Sequence, residues 1–149
     1  MFTFILQPVL DYRKLQEEKA QQEFAFKLRE LEIEKQTLAA IAGEKAVLAG
    51  RFQELSAGKI EIKADDFATL TSRLELLRIR QRLQERVVIE KEEAKELSRH
   101  AMLEAMRNKR VMELLMDRHL GNYRMEVKRR ETRLLDEFGV RSYGRRDAI

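Results

Sequence analysis

The chain of 149 residues contains no cysteine and no tryptophan, a single proline and only six glycines. Without cysteine there is no disulfide framework, no thiolate nucleophile and no sulfur ligand set for zinc; this fits a cytoplasmic protein. So few prolines and glycines leave little material for turns, which argues against a sandwich or barrel built from many short strands. Aromatic residues make up 7% of the chain, too few to stack nucleotide bases along a surface. No apolar run approaches the roughly 18 residues that a membrane span requires. The apolar start, Met1 to Leu10, is broken by Gln7 and Pro8, lacks a basic leader and is followed by no small-residue cleavage site. It does not read as a signal peptide.

Catalytic material is equally sparse. The two histidines, His100 and His119, are separated by nineteen positions, which is not a ligand spacing on a helix. No glycine-rich phosphate loop occurs. The many glutamates are spread along charged helical stretches, with no paired-carboxylate arrangement. The expected reading is a non-enzyme that needs neither cofactor nor metal.

What the chain has in quantity is charge and helix-forming side chains. Charged residues account for 38% and hydrophobic residues for 44%, the composition of a long helix or coiled coil. From Phe67 to Phe138 there is no proline and one glycine, Gly121. Nearly every other residue there is one that loses little on entering a helix. At about 1.5 Å per residue such a helix is roughly 100 Å long, too long for a compact domain to wrap. It must pair along its length. A first helix over about 8–56 supplies the partner, with Pro8 in its first turn, where a missing N–H costs nothing. Its apolar spacing is heptad-like: Phe24, Leu28, Leu31, then Leu38, Ile41, Leu48, Phe52 and Leu55, with a phase slip near Leu38. Lys35 and Lys45 fall on that seam. Upstream of Phe24 the seam is poor, because Leu10 is followed by Lys14, Glu17 and Gln21.

Ser56-Ala57-Gly58 reads as a helix end, residues 57–65 as a connector with Ile60 and Ile62 alternating with charges, and Asp65 or Asp66 as the cap of a second helix over about 66–138. Gly139 reads as its stop, and residues 139–149 as a frayed basic tail. The expected fold is therefore all-α: one coiled-coil domain over 1–149, two long helices in an antiparallel hairpin, the second longer than the first. One register pairs Phe52 with Leu70, Leu48 with Leu74, Leu38 with Leu83, Leu28 with Ala94, Phe24 with Leu97 and Leu10 with Val111. Beyond about Leu120 the second helix outruns the first, yet it keeps an apolar stripe of Met116, Leu120, Tyr123, Val127, Leu134 and Phe138. That stripe points to an external partner.

The net charge of +4 is unevenly distributed. Residues 1–66 carry 10 basic and 12 acidic side chains, a net of −2, and residues 67–149 carry 20 and 14, a net of +6. The clusters Arg107-Asn108-Lys109-Arg110 and Lys128-Arg129-Arg130, with Arg133, leave a basic helix binding nucleic acid as one alternative. They are interleaved with Glu126, Glu131, Asp136 and Glu137, so no nucleic-acid partner is expected.

Two stretches carry a family resemblance. FTFILQPVLDYRKLQEEKAQQEFA, at the start, and LSRHAMLEAMRNKRVMELLMDRHLGNYRMEVKRRETRLLDEF, on the second helix, resemble the two signatures of the flagellar export protein FliJ family, in order and at the family's length. The resemblance implies an antiparallel coiled-coil stalk of the flagellar type III export apparatus, similar in shape to the central stalk of rotary ATPases. The end with both termini would enter the ring of the export ATPase FliI, the hairpin end would reach the export gate protein FlhA, and export chaperones would bind as well. It implies a cytoplasmic protein associated peripherally with the inner membrane. Carried onto this chain, the gate-facing residues are Ile41, Leu48, Phe52, Phe67, Leu70, Leu74, Leu77 and Gln81, a set interrupted by Lys45. The ATPase-facing residues are Arg118, Arg124, Arg129, Arg130 and Arg133. A related stalk of a virulence type III secretion system is the neighbouring alternative.

Overall fold

The computed structural model describes the backbone of residues 1–58 and 61–144 and the side chains of those up to residue 141. It contains two helices, α1 (Gln7–Ser56, 50 residues) and α2 (Ala64–Gly144, 81 residues), packed side by side as an antiparallel hairpin. Lys59 and Ile60 of the connector, and residues 145–149 of the basic tail, lie outside the described residues.

The helix ends follow local chemistry. Pro8 lies in the first turn of α1. At the other end Ala57 N–H donates to Gln53 O and Gly58 N–H to Leu55 O, and Gly58 takes φ of 70°, the left-handed conformation that only glycine adopts cheaply. The cap of α2 differs from expectation. The Asp66 and Phe67 N–H groups both donate to the Lys63 carbonyl, so the helix begins at Ala64 and Asp65 and Asp66 lie inside its first turn. Their carboxylates there still favour the positive end of the helix dipole. The end of α2 also differs: the helix does not stop near Phe138 but runs through Gly139 to Gly144. Gly139 keeps a negative φ. A glycine inside a helix costs only about 1 kcal/mol relative to alanine, and Val140 and Arg141 follow without a proline to break the turn.

The packing divides into two units, Lys19–Leu103 and Met1–Glu18 with α2 from Glu104 on. In the first unit the seam of α1 is formed by Phe24, Lys27, Leu31, Glu34, Leu38, Ile41, Lys45, Leu48, Phe52 and Leu55, all buried or half-buried. Their steps alternate between 3 and 4 without interruption, the a and d positions of a heptad. On α2 the series Leu70, Leu74, Leu77, Gln81, Gln84, Val88, Lys91, Lys95, Ser98 and Met102 does the same. There is no phase slip near Leu38, because Glu34 occupies the seam position that bridges Leu31 and Leu38. Leucines that the apolar pattern assigned to the seam point outward instead: Leu83 is 55% exposed, Leu97 73% and Leu28 42%. Leu48 packs with Leu74 as expected, joined by Leu77.

The polar seam residues meet one another across the hairpin. Lys45 Nζ donates to Gln81 Oε1 at 2.9 Å. Gln84 Nε2 donates to the Glu34 carbonyl at 3.1 Å and also to the Glu34 carboxylate. Lys91 reaches Glu30 at 3.2 Å, where Lys27 also sits at 3.4 Å. Pairing of this kind is what allows hydrophilic side chains to occupy a seam at all. Ser98 is the exception, its buried hydroxyl having no hydrogen-bond partner. Flanking the seam, Lys35 pairs with Glu92 at 3.1 Å and Glu44 with Arg73 at 3.6 Å. Lys35 is therefore a half-exposed rim residue; only Lys45 of the two lysines occupies the seam.

The second unit is built the same way from Leu10, Arg13 and Glu17 on α1 and Ala105, Lys109, Met112 and Met116 on α2. Leu10 is fully buried and Glu17 is buried against Lys109, so the seam upstream of Phe24 is polar but paired. Val111, expected opposite Leu10, is turned outward. The extended lead folds back onto α2: Phe2 lies 5.6 Å from the Tyr123 ring and Phe4 meets the edge of His119 at 5.8 Å.

These ion pairs fix a pH window. The hydrogen bond from Lys91, then the contact with Lys27, holds the Glu30 carboxyl below its ordinary value, and Lys95 followed by Arg99 does the same for Glu96. Stability from a lowered carboxyl is present above the unfolded value and is lost as pH falls through the folded one. The hydrogen bond to Glu17 raises Lys109, so its contribution is complete below the unfolded lysine value and lost as pH rises through the folded one. The melting temperature is expected to be flat between about pH 5 and pH 10 and to fall on both sides. In a series of thermal melts, Glu30→Gln should shrink the acid limb and leave the alkaline limb unchanged.

Candidate interaction surfaces

Among the described residues no His, Cys, Asp or Glu group is arranged to hold a metal ion, and no helix is long and apolar enough to cross a membrane. The residues expected to face partners fall on two stretches of the helices.

The residues expected to face a gate lie together in the Lys19–Leu103 unit, but most of them face the partner helix rather than solvent. Leu48, Leu74 and Leu77 form its apolar core, with Ile41, Phe52 and Leu70 packed against it. Gln81 accepts from Lys45 and donates to Glu85 at 3.1 Å. Phe67 is the outward member: its ring lies 5.2 Å from that of Phe52, yet 41% of the residue is exposed. Beside it a shallow groove is lined by Arg51, Glu54, Leu55, Ile62, Asp66 and Leu70. That groove escapes a reading based on seam spacing, since Ile62 belongs to the connector. The exposed Leu76, Ile79 and Leu83 were also hidden from it. Counting heptads onward from Leu70, Leu74 and Leu77 through Gln81 and Gln84 would have exposed them.

The five arginines expected to face an ATPase are all solvent-exposed. At about 100° per residue Arg118, Arg129 and Arg133 share an arc of about 60°, with Arg130 next to it and Arg124 on the opposite side. The structure thus gathers three or four of the five on one face. Arg129 and Arg133, with Met125, Lys128 and Thr132, line a shallow groove along that face. Of the five, only Arg130 has a carboxylate partner among the described residues, Glu126 at 3.9 Å. Arg110 and Lys109, by contrast, are engaged by Glu113 and Glu17, which lowers the free charge of the first basic cluster. From Lys128 to Arg141 every side chain of α2 is exposed, including Leu134, Leu135 and Phe138.

The described residues form a long two-helix hairpin with paired polar layers and an arginine-rich extension of one helix. The model of the flagellar FliJ protein family matches residues 2–148, and the chain belongs to that family. The family is a non-catalytic structural component of type III export. In fold the chain is similar to the solved structure of a YscO homolog, CT670, from Chlamydia trachomatis, with a TM-score of 0.56 and 19% identity over 93% of each chain. A search of curated protein sequences finds no match.

Proposed function

We propose that this chain is the stalk of a flagellar type III export apparatus, linking the export ATPase FliI to the export gate protein FlhA at the cytoplasmic face of the inner membrane, with export chaperones as further ligands. It does no chemistry of its own. The observation that carries this reading is the exposed arginine face of α2 beyond the paired seam, in a chain of the FliJ family. Guanidinium forks grip carboxylates bidentately, and several such grips can break and re-form as a ring of ATPase subunits changes state. Arg118, Arg129, Arg130 and Arg133 are the residues assigned to that contact, with Arg124 at its margin. At the connector end, the gate contact is assigned to Phe67 and the groove beside it. Ile41, Leu48, Phe52, Leu70, Leu74 and Leu77 hold that surface in shape from beneath, and Gln81 does so through Lys45. The family model, which is flagellar, favours this reading over a stalk of a virulence system.

The test is charge reversal. Arg129→Glu with Arg130→Glu should cut stimulation of the ATPase by about tenfold or more, the effect of losing two charge-assisted contacts, while far-UV circular dichroism stays unchanged. Undiminished stimulation by the double variant would contradict the assignment.

A further inference from the structure

The heptad pattern leaves one broad side of the Lys19–Leu103 unit unaccounted for. In an antiparallel pair the g and c positions of both helices lie on one side of the seam and the e and b positions on the other. Two ion pairs fix these sides here: Glu44 with Arg73 joins g to g, and Lys35 with Glu92 joins e to e. On the e and b side α1 carries mainly alanine and α2 mainly charged residues, with the ion pairs Arg78 with Glu75 and Arg99 with Glu96. The g and c side carries large apolar residues at most of its c positions, where solvent-facing side chains should be polar. Its c positions include Phe26, Ile33 and Val47 on α1 and Leu76, Leu83 and Leu97 on α2, each half or more exposed, beside Ala40, Glu54 and Glu90. Such a surface, running over both helices, is too regular to be a scatter of single exposed residues.

We infer that this side binds a second copy of the same chain, the two hairpins lying face to face and pointing the same way. The face is complementary to itself in that arrangement. A two-fold axis along the hairpin brings α1 of one copy against α2 of the other at the level set by the Leu48 and Leu74 layer. Phe26 then meets Leu97 of the second copy, Val47 meets Leu76, and Ala40 meets Leu83, each twice over. Glu44 comes level with Arg80 of the second copy, and Arg80 makes no ion pair with any described residue of its own chain. The unlike layers include Ile33 with Glu90, Glu30 with Ala94, Thr37 with Val87 and Arg51 with Arg73, and they limit the affinity to the micromolar range typical of modest interfaces, on the order of 1–10 μM. The four helices would form a bundle segment in which the present seam is retained and a second one is added.

Sedimentation of the full chain from roughly 1 to 100 μM spans that affinity. The mass should rise from 17.7 kDa toward twice that value. Arg80→Glu should weaken association at least tenfold, and adding Glu44→Arg to it should restore most of the loss, a rescue that a folding defect would not show. The natural absence of cysteine makes a second arm clean. Val47→Cys mixed with Leu76→Cys should form a disulfide-linked dimer on mild oxidation, while neither variant does so alone. A mass that stays at 17.7 kDa throughout, or a dimer that ignores Arg80→Glu, or Val47→Cys that cross-links to itself, would overturn the inference.

Discussion

Leu77→Ala should lower the stability of the hairpin by about 2–5 kcal/mol, which for a chain of this size shifts the melting temperature by on the order of 10 °C. Leu77 is 2% exposed, at the centre of the cluster formed with Leu48 and Leu74. Removing its branched end leaves a cavity between two stiff helices that cannot close over it without bending. Leu28→Ala is the control. Leu28 has the same chemistry and sits in the apolar spacing of α1, yet it is turned to the rim and 42% exposed. Its truncation should cost under about 1 kcal/mol. Urea titrations of the two variants, read by circular dichroism, separate a seam residue from a rim residue. Equal losses would mean that the heptad alignment of α1 is wrong.

The second large effect has the opposite sign. Glu34→Leu combined with Gln84→Leu should stabilise the hairpin by about 1–4 kcal/mol, because a partly buried hydrophilic pair is replaced by apolar contact of similar volume. Gln84→Leu alone should destabilise, since the Glu34 carboxylate then faces a leucine. The stabilised double variant should also lose its single register. The seam leucines repeat every heptad, so a slip of seven residues keeps many of them in contact. Such a slip would set Glu34 against Leu77 in one direction and Lys45 against Leu74 or Val88 in either, so the polar layers oppose both one-heptad slips. In the double variant one of those penalties is gone. Calorimetry reports the gain, and broadened or doubled amide resonances near Glu34 report the slip. A double variant that is both less stable and sharply folded would contradict this view of the polar layer.

These two sites also show what could be read from the chain alone. The hairpin itself was legible because long stretches without proline, a glycine near residue 58 and heptad-like leucines all agree. The tip was legible in detail: Phe52, Leu70, Leu48, Leu74 and Leu77 are apolar and are also the seam. The middle was not, because there the seam is occupied by Glu34, Gln84 and Lys91, while Leu83 and Leu97 lie outside it. Following hydrophobicity from one residue to the next therefore introduced a phase slip that the helices do not have. Strict counting by 3 and 4 would have kept the phase. The end of α2 was misread for a simpler reason: Gly139 has the composition of a helix stop but none of its left-handed geometry. The arginines of the extension were found by charge alone, and which of them share a face is decided by the helix being unbroken there.

The account rests on α1 folding back along α2 in the register fixed by the polar layers. Since the chain has no cysteine, Lys35→Cys with Glu92→Cys gives a doubly spin-labelled protein with one label on each helix, at side chains that pair at 3.1 Å in the hairpin. Measured by pulsed electron resonance at concentrations where the chain is monomeric, the labels should give one narrow distance distribution centred below about 25 Å, as two helices 8–10 Å apart dictate once linker length is added. A distribution centred well beyond that distance, or a broad one without a short component, would contradict the folded-back hairpin.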